Sequence, residues 1–248
     1  MRLVRVALSA FGGVVLAASS ALAADIAAVP PPPVWGFYFG GGVCYDWADF
    51  DIEKNIYKKK WNRELQQKEY VLKHTFDLFD ISAEAPCLTA TIGYDYQIDQ
   101  LFVIGIFASY DWQLDEKRGD VTKEKHNKTF TLATAAIGDI ATVGGRAGVL
   151  VQPDLLVYLL LGYSWSNASF QVFPPWGPGA SGSVSGPTIG AGIEKLFHNN
   201  WSARLEYRYT DFGKLSTGLN QIWYTKYYWE KTAHITDQSV RLVLTYRP

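Results

Sequence analysis

Gly186–Gly213 reads GPTIGAGIEKLFHNNWSARLEYRYTDFG, two alternating runs joined at His198-Asn199-Asn200, the pattern of a β-hairpin. In the second arm Ala203, Leu205, Tyr207 and Tyr209 share one face, and Ser202, Arg204, Glu206, Arg208 and Thr210 share the other. Ile189, Ala191 and Ile193 alternate in the same way with Thr188, Gly190, Gly192 and Glu194. A soluble barrel turns its large apolar side chains inward. Here glycines and paired charges share a face and the tyrosines take the other, which suits a barrel with a polar interior and an apolar exterior in lipid. In the opposite register Arg204 and Arg208 would each meet hydrocarbon at about 2–4 kcal/mol near the bilayer midplane, enough to place the charges inside.

The N-terminus supports export. MRLVRVALSAFGGVVLAASSALA sets Arg2 and Arg5 before an apolar run that ends on Ala21-Leu22-Ala23, so residues 1–23 read as a signal peptide cleaved near Ala23. The run is broken by Ser9, Gly12 and Gly13 and is shorter than the about 20 apolar residues of a helical anchor. Cleavage removes two arginines and no acid, taking the formal charge from −1 to −3, which argues against a nucleic-acid partner. No later stretch is a long uncharged apolar run, so a membrane location has to rest on strands. Residues 24–34, ADIAAVPPPPV, hold four consecutive prolines and read as a periplasmic leader, either a stiff spacer or a disordered tail.

Residues 35–248 then read as an eight-stranded antiparallel barrel. The predicted strands are 35–47, 87–97, 101–112, 139–152, 155–165, the two arms of the opening hairpin, and 233–247. Tyr158 and Leu160 share the inward face of the fifth with Gly162 and Ser164. The charged stretch 48–86 is expected to be a solvated loop with a short helix near 64–73. Further loops are expected over 113–138, 166–184 and 214–231, with TFTLATAAI in the first of these extending the fourth strand. Short turns at one end and long loops at the other mark an outer-membrane barrel. Trp47, Trp112 and Trp165 fall at the long-loop ends of strands and Trp35, Phe102, Phe197 and Trp201 at the short-turn ends, as two interfacial girdles require.

Several segments carry a family resemblance: WGFYFGG at Trp35–Gly41, TVGGRAG at Thr142–Gly148, TIGAGIE at Thr188–Glu194, NWSARLEYRYTDFG at Asn200–Gly213 and SVRLVLTYR at Ser239–Arg247. They resemble the OmpA-like, porin-family surface proteins of alpha-proteobacteria, the group of major surface antigens and heme-binding surface proteins. The resemblance implies an eight-stranded outer-membrane barrel and a surface antigen, with heme binding or host-cell adhesion in some members. It also implies outer-membrane lipid, lipopolysaccharide and the barrel-assembly machinery as partners. Cys44 stands where the family usually has glycine, and Gly144 where arginine is common. Pro248 replaces the terminal phenylalanine that the assembly machinery recognises, so either recognition shifts to Tyr246 or assembly is expected to be inefficient. With the eighth strand last, the periplasmic peptidoglycan-binding domain of longer relatives is expected to be absent.

The inward set Arg146, Glu194, Arg204, Glu206, Arg208 and Arg241 is expected to form a polar ladder plugging the lumen, since an eight-stranded barrel is just wide enough for side chains; a narrow ion path is the alternative. Cys44 and Cys87 fall on the inward parity of neighbouring strands, either bonded across the first loop or unpaired. Trp223, Tyr224, Tyr227, Tyr228 and Trp229 form either a strand extension or a surface patch for a host or phage ligand. His74, His126 and His234 map to the long-loop side, where the resemblance allows heme ligation. No catalytic motif or metal site is evident: His234 and Ser239 have opposite parity on their strand. The expected role is therefore structural, supporting the envelope and displaying loops, with a heme receptor as the alternative.

Overall fold

The computed structural model describes residues 36–62, 66–115, 117–125, 128–173, 179–197, 200–222 and 225–248. The expected signal peptide, leader and Trp35 lie outside the described residues. The strands are β1 (Phe37–Asn62), β2 (Gln67–Gln97), β3 (Phe102–Gln113), β4 (Lys117–Lys125), β5 (Lys128–Ile137) and β6 (Ile140–Gln152). They continue with β7 (Leu155–Val172), β8 (Ala180–Leu196), β9 (Trp201–Ser216), the two-residue β10 (Asn220–Gln221) and β11 (Tyr227–Tyr246). Eight of them close a ring in the order β1, β2, β3, β6, β7, β8, β9, β11 and back to β1. Each neighbouring pair in the ring is antiparallel.

The wall continues above β3 and β6. There β4 and β5 pair with each other, β5 pairs with β7, and Gly119 of β4 lies against the Ser82 backbone of β2. Asp139 staples the break between β5 and β6 by accepting from the Gln113 amide at 2.9 Å and the Tyr110 hydroxyl at 3.0 Å. At the opposite rim Asp99 accepts from the amides of Leu101 and Phe102 at 2.8 and 2.7 Å, closing the turn from β2 to β3. In the turn of the opening hairpin Asn200 adopts a φ of 66°, a left-handed conformation that asparagine tolerates better than most residues.

In the lower half, toward the short turns, Phe39, Val43, Ile92, Ile104, Leu159, Leu161, Ile193 and Leu242 point outward and are exposed. So continuous an apolar surface suits a hydrocarbon surround and not water. The girdle residues Trp112, Trp165 and Trp201 are exposed on it, and Trp47, half-buried, packs 6.4 Å from the Tyr207 ring. Inside this half are charges.

In the upper half the alternation continues with its sign reversed. Ala48, Phe50 and Ile52 of β1 turn inward and pack with Ile81 and Ala83 of β2, Phe170 and Val172 of β7, Phe212 of β9 and Ile235 of β11. Outward are Asp49, Asp51, Ser82, Glu84 and Asp211. The lower half is built for lipid, and the upper half extends the same strands around an apolar interior with polar side chains outward.

The expected loops are corrected accordingly. Residues 48–62 and 67–86 are strand, not solvated loop, and 67–73 are strand where a helix was expected; 63–65 lie outside the described residues. The run ADFDIE at Ala48–Glu53 alternates apolar and acidic residues, so every acid has a solvent face to occupy. Likewise 117–125 and 128–137 form strands, β7 runs to Val172, β8 starts at Ala180, and β11 starts at Tyr227.

Candidate functional site

Two places gather chemistry: the lower lumen and the sheet standing above the barrel mouth. In the lumen Arg146, Glu194, Arg204, Glu206, Arg208 and Arg241 are all buried. Their strands carry them inward because each alternates with a lipid-facing neighbour, as Glu206 does between Leu205 and Tyr207. Arg146 donates to Asp95 at 2.8 Å and to Glu194 at 2.9 Å, and Arg247 donates to the same two carboxylates at 3.0 and 2.8 Å. Ser202 adds a donor to Glu194 at 2.6 Å. Glu206 accepts from Arg208 at 2.7 Å and from the Tyr158 hydroxyl at 2.6 Å, with the Arg204 Nε at 3.5 Å. Arg241 donates to Asp111 at 2.7 Å.

Aromatic rings hold the arginines in place. The Arg146 guanidinium lies 4.8 Å from the Tyr38 ring and 4.8 Å from the Tyr158 ring, within cation–π range. Each ring rests on a glycine. A Cβ at Gly93 would come within 2.4 Å of Tyr38, and one at Gly192 within 2.5 Å of Tyr158, so side chains there would displace the clamp. A hydroxyl belt, Thr142 to Ser164 to Thr188 to Thr210, crosses β6, β7, β8 and β9 with spacings of 2.7, 2.5 and 2.9 Å.

The sequence reading missed half of this network. Asp95, Asp111, Asp46, Asp237, Lys117 and Arg247 also face inward and are buried. Lys117 bonds Asp237 and lies 3.8 Å from Asp46, which also accepts from Gln113 at 2.7 Å. A signal was available: Tyr94-Asp95-Tyr96, Tyr110-Asp111-Trp112 and Tyr45-Asp46-Trp47 each put an acid between two aromatics, and outward aromatics dictate an inward acid. The described lower lumen thus holds six acids (Asp46, Asp95, Asp111, Glu194, Glu206, Asp237) and six bases (Lys117, Arg146, Arg204, Arg208, Arg241, Arg247). Apolar packing lies beneath the network at Val103, Leu150 and Leu156 and above it at Ile140, Ala168 and Ile235. Cys44 and Cys87, directly opposite across β1 and β2, are joined by a disulfide.

The upper sheet sorts the aromatic residues by face. Trp223 and Tyr224 lie outside the described residues. Of the rest, Tyr227 and Trp229 share the face that continues the lumen, because they pair with Lys58 and Ile56, while Tyr228 pairs with Tyr57 on the outer face. The five therefore do not form a single patch. On the inner face Lys54 and Lys231 stand directly opposite each other, each 5.5 Å from the Trp229 ring, and Lys58 lies 5.6 Å from the Tyr227 ring. Burial, and then the neighbouring Lys54, pull the Lys231 ammonium down from 10.5 to about 8. On the outer face Lys59 sits between Tyr70 and Tyr228, at 5.8 and 5.5 Å.

His74 lies on the inner face, paired with Ile56 and 6.1 Å from the Phe76 ring. His234 lies on the outer face, 3.1 Å from Asp211. His126 is outside the described residues. The two described histidines are thus not brought together.

The family comparison agrees with this architecture. The family model described as "Outer membrane protein beta-barrel domain" matches residues 13–247. The 31 kDa outer-membrane immunogenic protein of Brucella melitensis is 30% identical over 135 residues, covering 46% of this chain and 55% of that protein. Its Brucella suis counterpart matches to the same extent. The chain spans about half the length of these curated relatives. Among solved structures, OprG of Pseudomonas aeruginosa is 14% identical over 86% of this chain and 95% of that chain, with a TM-score of 0.43. Ail, the attachment invasion locus protein of Yersinia pestis, is 14% identical over 83% of this chain and 97% of that chain, with a TM-score of 0.37.

Proposed function

From the premise that the chain belongs to the outer membrane protein β-barrel domain family and resides in the bacterial outer membrane, we propose that it is a structural barrel that supports the envelope and displays its strand extensions outside the cell. The observation that carries this reading is the buried, charge-balanced network of the lower lumen, packed between apolar layers. Such a network holds a narrow barrel rigid and leaves no continuous aqueous path for a solute. The work of the protein then falls to the wall and to the upper barrel. The test is a strain lacking the protein: its outer membrane should become more permeable to a large antibiotic and to detergent, and a wild-type copy should restore the barrier. Unchanged permeability would remove the envelope role. Planar bilayers with the purified barrel should stay silent; steady unitary conductance would favour the narrow channel.

Capture of heme is a second reading, favoured by His74, which shares its face and its row with Trp229. A Soret titration that saturates in the wild type and not in His74→Ala would support it, and the lack of any saturable binding would end it.

A further inference from the structure

The inner face of the upper sheet holds a feature that neither the fold nor the envelope role requires. Lys54 and Lys231 are register partners on adjacent antiparallel strands, where like charges directly opposite are destabilising. Both stand over the indole of Trp229, at 5.5 Å, and one step further up Lys58 stands over Tyr227. Among the described residues neither Lys54 nor Lys58 forms an ion pair, and each stands over an aromatic ring. The arrangement concentrates positive charge and flat apolar surface in one place.

The patch is bounded. Below it the same face turns apolar at Ile52 and Ala233, and above it Lys60 pairs in register with Glu69. Its three lysines are too few for the 6–10 phosphate contacts of a typical duplex-binding surface. Its parity also sets the source of a ligand. The resident lipopolysaccharide leaflet surrounds the barrel and reaches the outer face, where Lys59 and Tyr70 stand, whereas the inner face overlooks the mouth and receives what arrives from outside the cell.

We propose that this face binds a foreign acidic glycan: the partly exposed Lys54 and Lys58 receive its sulfate or carboxylate groups, the buried Lys231 adds its positive charge, and Trp229 and Tyr227 stack against the apolar faces of its sugar rings. Ammonium groups serve as point charges for such anions, and aromatic rings supply rigid contact area. The inference rests on the surface display proposed above.

The test uses the full mature barrel, folded in nanodiscs free of lipopolysaccharide, with dextran sulfate as the probe. The wild type should bind dextran sulfate and not neutral dextran. Lys54→Gln with Lys58→Gln should weaken binding about tenfold or more and flatten its salt dependence. Lys59→Gln, the outer-face counterpart of Lys58→Gln, should leave binding unchanged. Folding is checked by heat-modifiable gel migration; if the double variant loses it, Lys58→Gln alone carries the test, with a loss of about threefold expected. Equal loss from Lys59→Gln, equal binding of neutral dextran, or tighter binding of a single-stranded oligonucleotide or of heme would each overturn the proposal. Antibody against the upper strands on intact cells separates the two readings. Labelling without glycan binding defeats the inference alone, and absent labelling defeats the display reading.

Discussion

Phe39 and Phe50 lie on the same strand, yet one is 49% exposed and the other fully buried. Below Trp47 the wall of the barrel is apolar outside and charged inside; above it, as far as Ile52 and Ala233, the same wall is charged outside and apolar inside. The chain switches from one arrangement to the other without breaking β1, β2, β7, β8 or β11. Hydrogen-bonded geometry is therefore common to both halves, and the surrounding medium alone dictates which face is greasy. Lipid demands apolar atoms outward, so the polar residues go inward and must pair with one another. Water imposes the reverse.

The sharpest way to break this contrast is to give the upper half the interior of the lower one. Phe50→Asp would bury a charge among Ile81, Ile235 and Phe212 with no partner, and should cost more than about 4 kcal/mol. Limited proteolysis should then clip the upper hairpins while the lower barrel stays resistant. Resistance equal to wild type would mean that the upper core is not what closes them.

Removing a charge from the lower interior should cost slightly less. Glu194 receives Arg146, Arg247 and Ser202, and Glu194→Ala should destabilise the folded barrel by about 3–5 kcal/mol, because two arginines lose a buried carboxylate. Urea unfolding in lipid vesicles measures it, and a loss below about 1 kcal/mol would reduce the network to filler.

A matched pair on β7 sharpens the comparison of the two exteriors. Leu159→Arg faces hydrocarbon and should cost about 2–4 kcal/mol. Gln171→Arg, on the same face of the same strand but above the girdle, should stay within about 0.5 kcal/mol. Equal effects would mean that the medium does not change between them.

A pH dependence confined to the upper half is also expected. Lys231 has a folded value depressed to about 8 from 10.5. Between these values the unfolded chain binds more protons, so stability rises as pH climbs through this window, and below about pH 8 the cost of the charged form is borne in full. Hydrogen exchange of β11 against β1 should slow as pH is raised from 8 to 10 after correction for intrinsic rates, and Lys231→Gln should abolish the trend.

The closed ring was legible because in-plane alternation survives translation into structure. Arg204, Glu206 and Arg208 sit opposite Leu205, Tyr207 and Tyr209 in the sequence and in the barrel alike. The carboxylates that meet the arginines were less legible: Asp95 precedes a turn and Asp111 precedes a charged stretch, so both read as loop acids until their aromatic neighbours are placed outside. The upper half was missed for a different reason. Charge density hid the period, since the acidic residues of Ala48–Glu53 dominate its composition while Ala48, Phe50 and Ile52 carry its pattern. The aromatic run at the fourth loop was legible as composition, and only the register divided Tyr227 and Trp229 from Tyr228.

By itself the sequence determined the strand parity, the polar lumen of the lower half and the apolar band around it, because a period of two fixes which side chains share a face. Tertiary structure alone decided that the charged stretches continue the wall, that Asp95 and Glu194 share Arg146 and Arg247, and that Lys54 meets Lys231 over Trp229. Those outcomes depend on which strands become neighbours and in what register, and registry between distant strands is set by ring closure, not by local pattern.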